Sequence, residues 1–183
     1  PGFDRFIGSW ICPGDKTIVI DVGPSRSAPK LIDSLTAMGI HRVDVVLLTH
    51  IHMDHAGGLA EFLDHFPMAR AVCHDKAIPH LVDPTRLWQG SLRTLGHLAE
   101  AYGPIRPVAK ERLLSHHEAP GQGIDVIETP GHAPHHLSFI LQGNLFAGEA
   151  GGIYLEGEGR EYMRPATPPV FFLEEFLGSI DRL

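Results

Sequence analysis

Between Val43 and Gly58 the sequence passes without a break from a nearly all-apolar run, Val-Asp-Val-Val-Leu-Leu-Thr, to the polar packet His50-Ile51-His52-Met53-Asp54-His55 and then to a Gly-Gly pair. An apolar run of this kind reads as a strand covered on both faces, the sort found in parallel sheets flanked by helices. The polar packet therefore begins where a buried strand ends and opens the next helix. Residues two apart in extended chain point to the same side with alpha carbons roughly 6.6 Å apart, so His50 and His52 can converge on one cation while Ile51 faces the core. Asp54 and His55 follow where the chain turns into the helix and can serve a second, neighbouring ion. Gly57-Gly58 is read as letting the backbone approach that site closely. A structural zinc favours cysteine and closes all four positions, whereas this packet is all histidine and carboxylate, which favours catalysis.

The flanking sequence supplies a scaffold for that packet. Thr17 to Asp21 is a β-branched run stopped by Val22, Gly23 and Pro24, as suits a buried strand followed by a turn. Ser25 to Met38 reads as a helix, with Leu31, Ile32, Leu35 and Met38 at helical spacing, Pro29 near its start and Gly39 as its stop. With the strand at 43–49 this makes a β-α-β unit. Gly57 to Phe66 follows as a second amphipathic helix closed by Pro67. The alternation predicts a layered α/β fold. From Asp75 to about Pro120 the pattern turns helical, with a stripe from Leu87 to Tyr102. Gly123 to Glu128 and Leu137 to Phe146 read as strands, with Gly143-Asn144 as a hairpin turn, and Pro168 to Leu183 as a closing helix.

Length and charge narrow the partners. A chain of 183 residues is enough for one domain with a sizeable core. Its 22 acidic against 15 basic residues give a net charge of −7, the wrong sign for binding a phosphate backbone, so no nucleic acid is expected. No run approaches a membrane span and no leader is visible at the first residues, so no membrane partner is expected. The two cysteines, Cys12 and Cys73, are read as reduced thiols in a cytoplasmic protein. The thirteen histidines are the unusual count, because histidine is the commonest metal ligand.

At these residues the sequence resembles the metallo-β-lactamase superfamily, whose H-x-H-x-D-H motif is met by His50, His52, Asp54 and His55. Asp21-Val22-Gly23 is similar to the family's strand-end D-x-G. Thr129-Pro130-Gly131-His132 is similar to its T-P-G-H segment, which implies His132 as the third ligand of the first metal. Gly148-Glu149 stands where the family has Gly-Asp, the carboxylate that bridges both ions. Glutamate is one methylene longer, so for Glu149 bridging, binding one ion and binding none stay open. The resemblance runs roughly from Thr17 to Glu149 and implies a four-layer αββα sandwich as a single domain over 1–183, with 75–120 as a helical insertion or lid. No histidine follows His136, so the family's last second-site ligand is not met, nor are the strands expected before Pro1. The implied fold is incomplete at both ends, with its C-terminal part after 183.

By resemblance the function is that of a metal-dependent hydrolase, similar to the glyoxalase II-like branch, with one or two zinc ions and iron or manganese as other choices. Metal-bound water falls from a pKa of about 15.7 to about 7, giving a hydroxide that attacks a small ester, thioester or related substrate. Asp54 is the catalytic residue, orienting the hydroxide or taking its proton. The partner is a small-molecule substrate, and a homodimer is open. Three other readings are an iron-dependent oxidoreductase of the same superfamily, a phosphodiesterase or nuclease, and a metal-stabilised binding module. The flavodiiron pattern has glutamate where His52 stands, and the net charge weighs against the nuclease. His136, four residues after His132, reads equally as support for a ligand or as a core or surface residue. His116 and His117 read as an exposed loop pair.

Overall fold

The computed structural model describes residues 7–157, 159–168 and 170–183. The chain divides into two compact units, Pro1–His116 and His117–Leu183, and each is taken by itself.

In the first unit β1 (Trp10–Cys12), β2 (Ile18–Ile20), β3 (Val45–Leu47), β4 (Arg70–Cys73) and β5 (Leu113–Ser115) form one sheet in that order. β1 pairs antiparallel with β2, and the remaining pairs are parallel. Parallel neighbours need crossovers, and helices provide them. α1 (Ala28–Ala37) joins β2 to β3, and α2 (Met53–Ala56) with α3 (Leu59–His65) joins β3 to β4. α4 (Ile78–Val82), α5 (Thr85–Leu95) and α6 (His97–Tyr102) lie between β4 and β5. All three residues of β3 are buried, as its apolar run requires. Val46, Leu48, Ile51, Leu59 and Phe62 share one core with Leu35 from α1. Full burial of each large side chain there contributes about 1.5–3 kcal/mol.

Several local expectations shift. The helix expected over 25–38 starts with a 3-10 turn at Ser25–Ser27, and Gly39 ends it at φ +77° with its N–H on the Thr36 carbonyl. The Gly57-Gly58 pair serves packing next to the polar packet. A side chain at Gly58 would run into Ala28 and the carbonyls of Gly23 and Pro24, and the Gly58 N–H donates to the Gly23 carbonyl at 2.9 Å. The stripe from Leu87 to Tyr102 is cut by Gly96 at φ +54°. Its Leu87, Trp88, Leu92 and Leu98 are half-buried against a small cluster of Met53, Ala99, Tyr102 and Ile105. After α6 the chain leaves the helical pattern and returns to the sheet as β5. Arg112, just before that strand, donates to the carbonyls of Leu63, Phe66 and Ala69 and so caps the end of α3.

In the second unit β6 (Asp125–Glu128), β7 (Leu137–Leu141) and β8 (Asn144–Phe146) make an antiparallel sheet. The β7–β8 turn falls on Gln142-Gly143, one residue before the expected place, with φ of +52° and +75°. Positive φ at both positions is what a tight two-residue hairpin needs to match the strand twist. β9 (Ile153–Gly157) and β10 (Arg160–Arg164) form a separate hairpin that the sequence pattern did not announce. α7 (Leu173–Ile180) occupies the middle of the expected closing helix, of which Pro169 lies outside the described residues. Of its apolar spacing only Phe176 is buried, while Ile180 is exposed. Among the described residues no helix is long and apolar enough to cross a membrane.

Candidate metal centre

Two of the first unit's ligand candidates, His50 and His55, hang from one buried carboxylate. Asp21 follows β2 with its N–H on the Leu47 carbonyl and its backbone at φ +53°, a left-handed conformation that aspartate tolerates better than most residues. Its Oδ1 accepts the Thr49 N–H at 2.9 Å, and its Oδ2 accepts the Thr49 hydroxyl at 2.7 Å. The same Oδ2 accepts His55 Nδ1–H at 2.8 Å. With its proton committed to Asp21, the Thr49 oxygen is left to accept from His50 Nδ1–H at 3.1 Å. His50 and His55 are thereby both fixed as Nδ1–H tautomers, with the Nε2 lone pair as the available ligand atom. Metal-binding histidines are commonly held this way, with the far ring nitrogen on a carboxylate, hydroxyl or carbonyl.

The rings of His50, His52 and His55 lie close together. His50 is 1% exposed, and its ring centroid lies 4.7 Å from that of His52 and 4.1 Å from that of His55. Asp54, in the first turn of α2, places Oδ2 3.7 Å from His55 Nε2. The main chain is pinned as well, since the His55 carbonyl accepts the N–H groups of Val22 and Gly23. On the same helix Met53 packs against Tyr102. Burial first and the Asp54 carboxylate second push the Tyr102 phenol up to about 12.

The second unit's candidates are His132 and Glu149. Gly131 precedes His132 at φ +130°, and a side chain there would be driven into the main chain of Phe176 in α7. Only glycine fits. Phe172 N–H on the Gly131 carbonyl and the Ser179 hydroxyl on the Pro130 carbonyl, at 3.1 and 2.6 Å, hold this turn against α7. His132 Nδ1–H donates to the Ala166 carbonyl at 3.0 Å, which turns Nε2 to the other side of the ring. Glu149 Oε2 lies 2.6 Å from that Nε2. A ring nitrogen and a carboxylate oxygen that close either share a proton or turn together on a metal ion. The donor set thus fits a cation.

Other histidines are sorted by the same hydrogen-bond logic. His136 accepts the Glu149 N–H on Nε2 and has Nδ1 on the Thr129 hydroxyl, so both ring nitrogens are occupied and it is not a ligand. His116, expected exposed, is 4% exposed and stacks on His74 with centroids 4.6 Å apart, whereas His117 is exposed as expected. The burial comes from long-range packing against a residue on the far side of the helical segment, which no local pattern reveals. His74 Nδ1 accepts the Lys76 N–H at 3.0 Å, which puts the neutral ring's proton on Nε2 and leaves it no nitrogen for a metal. The residues that sequence reasoning missed are Thr49 and the mooring role of Asp21. A polar side chain closing an otherwise apolar strand was the available signal.

Residues 9–179 match the sequence profile of the metallo-beta-lactamase superfamily. The chain belongs to that superfamily. It is 27% identical over 190 residues to a metallo-beta-lactamase fold-containing protein of Sulfurisphaera tokodaii, covering 98% of this chain and 69% of that one. It is 29% identical over 178 residues to a hydroxyacylglutathione hydrolase of Xanthomonas campestris, covering 94% of this chain and 55% of that enzyme, so it spans about half of the latter's length. The crystal structure of an archaeal superfamily member from Sulfolobus tokodaii superposes with a TM-score of 0.75 at 26% identity, covering 95% of this chain and 68% of that one. These neighbours agree with the mixed α/β metallo-beta-lactamase fold expected from the sequence. Membership and the relatives' names support the expected enzyme class, a hydrolase, with the substrate open. The superfamily is metal-dependent, in line with the histidine and carboxylate donors described above.

Proposed function

We propose that this chain is a zinc-dependent hydrolase of small esters or thioesters, glyoxalase II-like in substrate class. His50, His52 and His132 are assigned to a first ion, and Asp54, His55 and Glu149 to a second. The observation that carries the reading is the pair His132 and Glu149, whose Nε2 and Oε2 at 2.6 Å bring the second unit's two ligand candidates together. Its support in the first unit is the mooring of His50 and His55 through Nδ1. The family match runs across both units and supports treating 1–183 as one working domain. A bound divalent ion supplies Lewis acidity, which activates water near neutral pH and polarises a scissile carbonyl. Asp54, partly exposed in the first turn of α2, is the carboxylate that orients the attacking water and takes its proton. The helical segment within 75–120 packs on α2 through Met53 and Tyr102, and we assign it the lid role of shaping substrate access. The free thiols of Cys12 and Cys73 support a reducing, cytoplasmic setting.

The test is metal analysis together with a hydrolysis panel on the zinc-loaded chain. We expect zinc to dominate and turnover to be found among thioesters and simple esters. Dominant iron with oxygen consumption would replace the hydrolase with an oxidoreductase. His50→Ala and His132→Ala should each abolish first-ion binding, and retained stoichiometry in either variant would remove that residue from the ligand set.

A further inference from the structure

Four side-chain and main-chain links in the second unit form a row whose direction is fixed at both ends. The Glu149 N–H donates to His136 Nε2 at 3.1 Å. A main-chain amide can only donate, so Nε2 carries a lone pair and the ring proton sits on Nδ1. That Nδ1–H donates to the Thr129 hydroxyl oxygen at 2.8 Å, and the Thr129 proton passes to the Ser138 hydroxyl at 3.0 Å. Ser138 ends the row on the Ala147 carbonyl at 3.1 Å, a group that can only accept. Reversing any link would set two donors or two acceptors against each other. Thr129, His136 and Ser138 are all buried, so solvent does not stand in for any partner.

We propose that His136 is a positioning residue, held neutral as the Nδ1–H tautomer, which fixes the main chain at Glu149 and so aims the glutamate carboxylate at His132. Glu149 sits in a 3-10 turn, Gly148–Gly151, entered through Gly148 at φ +56°. The N-cap residue, Ala147, makes no side-chain cap, and the His136 ring instead anchors the N–H of the turn's second residue. A glutamate has one more rotatable bond than an aspartate to immobilise, which makes a fixed backbone beneath it more valuable. The value of Glu149 as a ligand rests on the proposed function, whereas the orientation of His136 does not.

Two measurements test this. Long-range proton–nitrogen NMR on the unmodified, metal-free chain should find one histidine, assigned by its loss in His136→Gln, as a neutral Nδ1–H tautomer with a slowly exchanging proton. An Nε2–H tautomer or an imidazolium at pH 7 overturns the proposal. Zinc affinity by competition with a chelating dye is then compared across the unmodified chain, His136→Leu, Glu149→Gln and the double variant. His136→Leu should weaken zinc by about 10–100-fold, as loss of such supporting groups does, and His136→Gln, which keeps an acceptor for the amide, should recover most of it. In the Glu149→Gln background the same His136→Leu change should cost less than about 3-fold, because the two act in series. Losses that multiply in the double variant would show that His136 does not act through Glu149. If His136→Leu fails to fold, Thr129→Val cuts the row one link away and is held to the same non-additivity. An unmodified chain that binds no zinc overturns the metal reading instead, and the tautomer result still decides the orientation of His136.

Discussion

His55 and His132 are held by opposite kinds of partner. His55 leans on the side chain of Asp21, which also carries Thr49 and, through it, His50. His132 leans on a main-chain carbonyl, that of Ala166. A side-chain mooring concentrates the geometry of several groups in one residue and can be removed by one substitution. A main-chain mooring depends only on the path of the backbone and survives most changes of side chain. The two units therefore differ in how easily a mutation disorganises their ligand candidates.

Asp21→Ala should break that comparison most forcefully. It strips partners from the Thr49 N–H, the Thr49 hydroxyl and His55, and should weaken zinc by about 10–100-fold in a chelator competition. Each buried group left unsatisfied costs about 1–3 kcal/mol, so the thermal midpoint should fall as well. A change under about 2-fold in affinity would mean that the histidines are held by something else. Thr49→Val removes only the middle link, and should cost about 1–3 kcal/mol with a smaller loss of zinc than Asp21→Ala.

Alkaline pH separates the regions by a milder effect. Burial, reinforced by Asp75, pushes the Cys73 thiol up to about 12 from 9.0, and burial with Asp54 pushes the Tyr102 phenol up to about 12 from 10.0. Both folded values lie above the unfolded ones, so the fold favours the protonated forms. The stability this contributes is fully present below about pH 9 and is lost as the pH rises towards 12. Thermal midpoints measured across that window should fall, and should fall less steeply in Tyr102→Phe. A midpoint flat to pH 12 would show that these groups ionise freely in the native state. The smallest effect belongs to Ala166→Gly, which leaves the carbonyl in place and should change zinc affinity by less than about 2-fold while costing about 0.5–1 kcal/mol in stability. A large affinity loss there would mean that the backbone path at Ala166 depends on its methyl group.

The packet 50–55 was legible because four ligand-type residues crowd the end of a strand too apolar to lie anywhere but inside. His132 and Glu149 were legible only through resemblance, since nothing in their own spacing points to one another. Asp21 stood out only as a polar residue closing an apolar strand; which groups it moors was not legible, because its partners lie 28 and 34 residues away and only the fold brings them together. β1 and β5 escaped notice because Trp-Ile-Cys and Leu-Leu-Ser stand outside any longer β-branched run, unlike the equally short β2 and β3. Gly57-Gly58 was seen as a feature of the site, yet Gly58 is dictated by the neighbouring backbone at Gly23 and Pro24 and Gly57 by the Met53 carbonyl.

Gly131 leaves the turn before His132 no freedom to drift independently. Because any side chain there collides with the backbone of α7, that turn and the last helix must change together or stay as they are. Anyone transplanting the His132 turn into another scaffold would have to carry α7 with it, and random mutagenesis of position 131 should return glycine alone among folded survivors.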